Sequence, residues 1–456
     1  MLLFDILNYY IIIQLLITIY YVKNEIPYMN ILDTMNDTND IYDEKTDLEH
    51  IRDKSFFYMG GKDPVKTDEL IYDNVKNQFT YETCMTNPAL LKIFDEVITN
   101  ASDQAIENPK KGVNIWVSFN DDFSITVTNS GTSVYVCDKT TKSGQTMKTP
   151  EFLFGRPRTS SNFRKDKRLK NGGTFGVGSF VTNVFSSSFS VETNDKKSDM
   201  LYYQEWTSGA SVVHPPEIQK YNKDAGAYTR FTFTPDWEEF SVKPGDEVYN
   251  NFVRCAKTRC AHISAYSKCL VYWDDAEITV KTPSDIVRCI MNPILKGQEA
   301  PVIPMTLKHD GLIWNLAFSV GPKSGSSGST YMTVVNGVNV RGGGSHLKFI
   351  EDQILKYVKD KYIGYVKKYS GKAAKKGTNG KEKTIRFMKN KILQYLCIVH
   401  FGEMWDPKFV GAIKDTLSAA DAEMKGFIIN PRDLGTIWNL VEPYVKADLI
   451  GPTIEK

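Results

Sequence analysis

Residues 87–106, NPALLKIFDEVITNASDQAI, restrict this chain more than any other stretch, because they read as a two-faced helix. Asn87 has a side chain that can cap a helix N-terminus, and Pro88 suits the first helical position. Leu91, Phe94, Ile98 and Ala101 recur at helical spacing and predict one apolar face. Glu96, Asn100 and Asp103 stand at i, i+4 and i+7 and share the other face. Such a polar face can simply meet solvent. It can also do chemistry: a carboxylate can orient and deprotonate a water, and an amide oxygen one turn on is a hard ligand for Mg²⁺.

Strands are predicted after this helix, in "VNIWVSF" and "FSITVTNSG", joined by a turn at 120–122, and again in "SFSVET" and "YTRFTFTP". Helix and strands do not alternate as regular βαβ units. This predicts an α+β fold with helices on one face of a mixed sheet. Between the strand pairs, 136–170 is polar and basic with few apolar anchors. It reads as a long loop of the kind that often forms a lid. The segment NGGTFGVGSFVTNVFSSSFSVET (171–193) comes next, with four glycines in its first eight residues. A glycine-rich run feeding a helix is a place for phosphates, since backbone N–H groups converge there; it is also what a tight packing loop looks like.

A second region begins near Met291. "TLKHDGLIWNLAFSV" and "STYMTVVNGVNV" read as strands, "GGGSHLKFIEDQILKYVKDKYI" as a turn into a helix, and "KTIRFMKNKILQYLCIVHF" as a helix and a strand. At 456 residues, two or three domains are expected. The seven cysteines are scattered with no C-x-x-C pair, which argues against a disulfide framework and a zinc site. Net charge is only +2, but 356–391 is strongly basic, with "KKYSGKAAKKGTNGKEK" inside it. That run is either a solvated loop or a nucleic-acid contact. Residues 2–21 are apolar, yet Asp5, Asn8 and Gln14 interrupt them and no basic residues precede them. They read as an extension outside the functional protein, an anchor, or a helix packed on the body.

"KIFDEVITNASD", "TNSG", "RTSSNF" and "NGGTFGVGSFVTNVFS" occur in the order and approximate spacing of the ATPase region of type II DNA topoisomerases. "DLEHIRDKSFFYMGG" resembles that family's N-terminal signature, "VVNGVNVRGGGSH" its transducer motif and "PKFVGAIKDTLS" its lysine-containing loop. The resemblance covers roughly 47–420 and looks closest to the eukaryotic and T-even-phage branch, which carries Thr-Ser-Ser-Asn before the glycines. It implies a GHKL (Bergerat) ATPase sandwich of helices on a mixed sheet, followed by a transducer domain of the ribosomal-protein-S5-like α/β type. The expected divisions are 1–46 extension and linker, 47–290 ATPase domain, 291–440 transducer and 441–456 tail.

The resemblance also implies roles. Glu96 is the general base and Asn100 the Mg²⁺ ligand, with Asp103 beside them in the ATP site. Asn129 takes the adenine-recognition place, and Thr229 lies under the adenine. Ser160, Ser161 and Asn162 contact sugar or phosphates. Gly173, Gly176, Val177 and Gly178 form the phosphate loop, and Lys414 reaches the γ-phosphate. Lys367, Lys368, Lys372, Lys375 and Lys376 would meet DNA. Departures from the family pattern fall at Ser133, Phe175, Phe180, Tyr228, Ala412 and Ile413. The family's cleavage-domain stretches are not found. The expected function is therefore the ATP-hydrolysing subunit of a type II topoisomerase, with ATP and Mg²⁺ as cofactors. It would dimerise on ATP binding, clamp double-stranded DNA and work with separate cleavage subunits. A phage or viral source and a (host) cytoplasmic location are expected, and no membrane partner. The alternatives are a degenerate or non-topoisomerase GHKL protein acting as a DNA clamp or dimerisation module.

Overall fold

The computed structural model describes residues 45–159, 176–296, 298–322, 328–370, 389–411 and 413–454. The chain divides at residue 50. In the described part of the first unit, Thr46 and Glu49 cap each other: Thr46 N donates to Glu49 Oε2 (2.8 Å) and Glu49 N to Thr46 Oγ1 (3.3 Å). The second unit, Ile51–Lys456, holds every described strand.

The chain enters through α1 (Asp47–Asp53) and α2 (Ser55–Met59), then a hairpin of β1 (Val65–Asp73) and β2 (Gln78–Thr86). The next helix, α3 (Pro88–Glu107), starts where expected: Asn87 Oδ1 accepts from Leu90 N at 2.9 Å and Pro88 fills the first turn. Strands β3 (Asn114–Phe119) and β4 (Ile125–Ser130) pair antiparallel. The polar stretch beginning at 136 is not all loop. It holds a small hairpin, β5 (Asp138–Thr140) with β6 (Thr146–Lys148), and helix α4 (Thr149–Phe154), which Pro150 opens. Local turn chemistry at 141–145 suffices for this hairpin, so it leaves no apolar signature.

After α5 (Gly178–Val184) come β7 (Ser186–Asp195), β8 (Met200–Thr207), β9 (Val212–Val213), β10 (Glu217–Lys220) and β11 (Tyr228–Pro235). Helix α6 (Glu247–Ser267) leads to β12 (Leu270–Trp273) and β13 (Ala276–Glu277). The sheet order is β10-β8-β7-β11-β4-β3-β12-β13, with β9 on β8; β12 runs parallel to β3 and the rest are antiparallel. One face is apolar, with Ile115, Val127, Phe189, Val191 and Phe233 fully buried, and the helices α3, α5 and α6 supply facing residues such as Ile93, Phe94 and Phe252. Phe94 meets Phe252 edge-on at 6.2 Å. This is the expected α+β layering of helices over a mixed sheet.

Helix α7 (Pro283–Ile294) precedes a second sheet, formed by β14 (Ile303–His309), β15 (Leu312–Val320), β16 (Thr330–Val335) and β17 (Val338–Asn339), with α8 (Ser345–Ser370) and α9 (Lys389–Leu393) before β18 (Leu396–Gly402). The order is β14-β15-β18-β16-β17, and only β16 and β18 are parallel. Helices α8, α10 (Asp421–Met424) and α11 (Pro431–Ile454) close its core, where Trp314 stacks on Phe427 at 4.1 Å. Helix α11 runs unbroken across residue 441. Among the described residues no helix is long and apolar enough to cross a membrane; residues 2–21 lie outside them.

Candidate nucleotide site

The polar face of α3 does not meet solvent. Lys92 and Asp103 are buried, and the Glu96 side chain is only 16% exposed. The cover comes from α5, α6, the turn between β16 and β17 and the loop that carries Lys414.

Glu96 is the centre of the arrangement. Lys92, one turn earlier on the same helix, places Nζ 2.5 Å from Glu96 Oε1. Burial alone would raise the Glu96 pKa, but the ammonium groups of Lys92 and Lys414 outweigh it and hold the carboxyl at about 2. Lys92, whose own burial favours the neutral form, is instead pushed up by Glu96 and Asp95. The pair is therefore ionised, with Oε1 engaged by Lys92. Oε2 lies where a side chain on Gly178 would have to stand, since a Cβ there would collide with it. Only glycine lets the backbone at the start of α5 approach the carboxylate so closely.

The same helix start is tied down twice more. Asn100 Nδ2 donates to Ser179 Oγ at 2.7 Å, and Thr182 Oγ1 donates to the Ile93 carbonyl at 3.0 Å. With its amide nitrogen committed to Ser179, Asn100 presents its carbonyl oxygen as the group able to face a cation. One neutral oxygen plus phosphate oxygens suits Mg²⁺, which rarely uses an all-protein cage. Among the described residues there is no cluster of three His, Cys, Asp or Glu side chains able to hold a metal. Gly176 and Val177 lead into α5, and Gly176 O accepts from Thr159 N at 3.1 Å.

Asn129 and Thr229 are cross-strand partners on β4 and β11. Both are buried. Asn129 Nδ2 donates to Thr132 Oγ1 at 3.1 Å, while Thr229 Oγ1 lies 3.2 Å from Thr193 Oγ1 and accepts from Val134 N at 3.2 Å. Thr193, from β7, is thus a third member of this polar patch, one that no motif in the sequence marks. Two departures from the family pattern have local uses. Ser133 Oγ donates to Asp195 Oδ1 at 2.9 Å, and Tyr228 Oη to Glu192 Oε1 at 2.6 Å. Phe180 is buried within α5.

Lys414 is delivered by a loop whose geometry depends on the glycines before α8. Gly344 has φ +130°, and a Cβ on it would collide with the backbone of Leu417. That contact lets Leu417 N donate to Gly343 O (3.0 Å), Ser345 N to Leu417 O (3.0 Å) and Gly342 N to Asp415 O (2.8 Å). The loop so gripped presents Lys414 with φ +63° and 5% exposure. Burial pulls its pKa down, partly opposed by Glu96, Asp95 and Asp103. Ile413 packs beside Gly60, whose Cβ position is 3.4 Å from Ile413 Cδ1.

Asp103 points to the turn between β16 and β17. Its Oδ1 lies 3.6 Å from the Cβ position of Gly337, where Tyr266 also packs. Burial, reinforced by Glu107, raises its pKa to about 8, so it is largely protonated at neutral pH.

Arg259, on α6, joins Lys92 as a residue that sequence reasoning misses. Its Nε donates to Asp95 Oδ1, and its Nη2 to Thr99 Oγ1 (3.2 Å) and to the Gly337 carbonyl. The available signal is a charged residue inside a run of small and apolar positions, "CAKTRCAHISAY". Ser160, Ser161, Asn162 and Gly173 lie outside the described residues, as do Lys372, Lys375 and Lys376. Lys367 and Lys368 belong to the backbone of α8, and their side chains are outside the description.

No protein-family model matches the chain. Curated relatives do: DNA topoisomerase 2 of Meyerozyma guilliermondii is 28% identical over 402 residues, 86% of this chain and 27% of the relative. DNA topoisomerase 2-alpha of Homo sapiens is 26% identical over 411 residues, 89% of this chain and 24% of the relative. The chain thus spans about a quarter of the length of these relatives. Among solved structures, the ATPase region of Saccharomyces cerevisiae topoisomerase II bound to ICRF-187 has a TM-score of 0.74 at 24% identity, covering 92% of this chain and 99% of that one. The ATPase and transducer domains of DNA topoisomerase II from Balamuthia mandrillaris give 0.75 at 22% identity, covering 92% and 100%. The 43K ATPase domain of Thermus thermophilus gyrase B gives 0.53 at 17% identity, covering 90% and 97%. The resemblance read from the sequence is met in both comparisons, and the fold is shared with these ATPase and transducer structures.

Proposed function

We propose that this chain, similar in sequence to type II DNA topoisomerases and folded like their ATPase and transducer region, binds and hydrolyses ATP and uses the cycle to close a clamp on duplex DNA. The observation that carries this reading is the burial of Lys414 within electrostatic reach of Glu96, with Asn100 one turn beyond. The ATPase part is taken as 47–290 and the transducer as 291–440.

In this reading the Asn129 and Thr229 patch receives the adenine. Gly173, Gly176, Val177 and Gly178 let backbone N–H groups approach the phosphates, with Ser160, Ser161 and Asn162 completing the contacts. Asn100 would hold Mg²⁺, which would supply charge neutralisation to the phosphates when bound. Glu96 Oε2 orients the attacking water. A carboxylate held near 2 is a weak base in the free protein, but phosphoryl transfer has a loose transition state that asks mainly for positioning and charge stabilisation. The negative γ-phosphate also raises the basicity of Glu96 once it arrives. Lys414 faces the charge that develops on the γ-phosphoryl oxygens, and its departure with phosphate release moves the transducer.

Two copies would dimerise on ATP binding. Lys367, Lys368, Lys372, Lys375 and Lys376 would meet the DNA backbone without reading sequence. Strand passage would require a cleavage module, taken to be a separate subunit. A phage or viral source with a host cytoplasmic location belongs to the same proposal, supported by the Asn- and Lys-rich composition. A non-hydrolysing clamp is disfavoured because Glu96 and Asn100 share one face of α3 and the buried Lys414 lies within electrostatic reach of Glu96.

The test is ATP turnover by the purified chain with and without duplex DNA, in low and high salt. Turnover stimulated by DNA, with stimulation lost at high salt through counterion competition, is expected. Absence of turnover with intact nucleotide binding would replace this reading by the non-hydrolysing clamp.

A further inference from the structure

Arg259 is 5% exposed, and its guanidinium contacts two different parts of the molecule at once. On α3 it holds Asp95 and Thr99. Each of these immediately precedes a proposed site residue, Glu96 and Asn100. On the other side it holds the carbonyl of Gly337, in the turn between β16 and β17. That turn is itself bolted to the end of β18. Asn336 N donates to Gly402 O at 3.0 Å, Asn336 Nδ2 donates to Met404 O at 2.8 Å, and Met404 N donates to Asn336 Oδ1 at 2.8 Å. From Met404 the chain continues into the loop that carries Lys414.

A rigid, planar, permanently charged fork suits this task. It engages a carboxylate, a hydroxyl and a carbonyl in fixed directions, which a lysine ammonium does not. Burial removes the water that would otherwise replace any one of them. Its remaining amino group, Nη1, is buried with no hydrogen-bond partner.

We propose that Arg259 is a positioning residue that fixes the catalytic helix to the turn of the second sheet, so that the register of Glu96 and Asn100 depends on where that sheet sits. The proposal rests on the ATPase reading above and adds to it a second mechanical link, separate from Lys414. Lys414 acts at the nucleotide, whereas Arg259 acts through α3 and needs no contact with it. A shift of the turn at 336–337 either carries α3 along or releases one of the three contacts of Arg259.

The experiment compares the wild-type chain with Arg259→Met, Arg259→Lys and Asp95→Asn. It reads kcat and KM for ATP, affinity for a non-hydrolysable ATP analogue, and the ratio of turnover with and without duplex DNA. Thermal unfolding checks the fold of each variant. Arg259→Met should lower kcat by about 10²-fold, the scale of a small misplacement of a reacting group. KM and analogue affinity should stay within about twofold of wild type, and DNA should no longer change turnover. Arg259→Lys should recover part of kcat. If Arg259→Met does not fold, Asp95→Asn, which keeps shape and removes the charge, should give the same split. Unchanged kcat and DNA response in a folded Arg259→Met or Asp95→Asn chain would overturn the proposal, as would equal losses of analogue affinity and kcat. A wild-type chain that binds no analogue and hydrolyses no ATP would instead fail the ATPase reading, and this proposal would fall with it.

Discussion

Lys92 Nζ lies 2.5 Å from Glu96 Oε1, one turn away on the same helix, and both side chains are shielded from solvent. The contact has two effects. It keeps Glu96 ionised well below the ordinary carboxylate range, and it leaves Oε2 as the oxygen that faces Gly178.

Lys92→Met tests the first effect. Removing the opposite charge should raise the Glu96 pKa by about one to three units. The acid limb of the kcat/KM profile, expected far below neutral pH in the wild type, should move up by that amount. Leaving Glu96 buried without its nearest partner should also destabilise the fold by about 3 kcal/mol, at the low end for such a change because Lys414 remains nearby. An unmoved acid limb would show that Lys92 does not set the charge of Glu96.

Asp103 gives the opposite pH dependence. Its folded pKa is raised by burial, then by Glu107, to about 8, whereas the unfolded value is about 4. Between those values the folded protein keeps a proton that the unfolded chain gives up. Stability from this group is therefore full below the unfolded pKa and is lost as pH rises through the folded one. Denaturant unfolding at a series of pH values should show this decline, and Asp103→Asn should flatten it. A decline that persists unchanged in Asp103→Asn would assign it to another group.

The loop that carries Lys414 offers a paired test. Gly344→Ala forces a Cβ onto the Leu417 backbone at a φ that favours glycine. It should disturb the grip of residues 342–345 on 415–417 and lower ATP turnover. Lys414→Ala should lower turnover too, with ADP affinity almost unchanged, because the ammonium is assigned to the γ-phosphate alone. If the Gly344→Ala chain binds ADP as wild type does and Lys414→Ala has no added effect in it, the glycine acts through the lysine. Equal losses of ATP and ADP binding in Lys414→Ala would point to a structural role instead.

Local features of the site are legible in the sequence, and covered ones are not. Glu96 and Asn100 stand on one face of one helix with a readable cap, so spacing alone brings them together. The strands "YTRFTFTP" and "FSITVTNSG" alternate cleanly, so the Asn129–Thr229 pairing needs only the right strand order. The burial of the α3 polar face cannot be read, because Gly337 and Lys414 cover it from far along the chain. For the same reason no motif in the sequence marks Lys92 or Arg259 as part of the site. The hairpin of β1 and β2 escapes a reading of the sequence because its cover, α6, comes much later in the chain. Tyr72 N, for example, finds its acceptor in Thr258 Oγ1 at 2.8 Å.

The most direct measurement is Glu96→Gln, assayed for nucleotide binding and for Mg²⁺-dependent ATP hydrolysis in the same preparation. The change keeps the shape of the side chain and removes its charge. Nucleotide binding should survive, and hydrolysis should fall by about 10²–10⁴-fold, the contribution of a positioned base. Turnover near that of the wild type in a folded Glu96→Gln chain would contradict the assignment of Glu96 and, with it, the catalytic reading of the whole site.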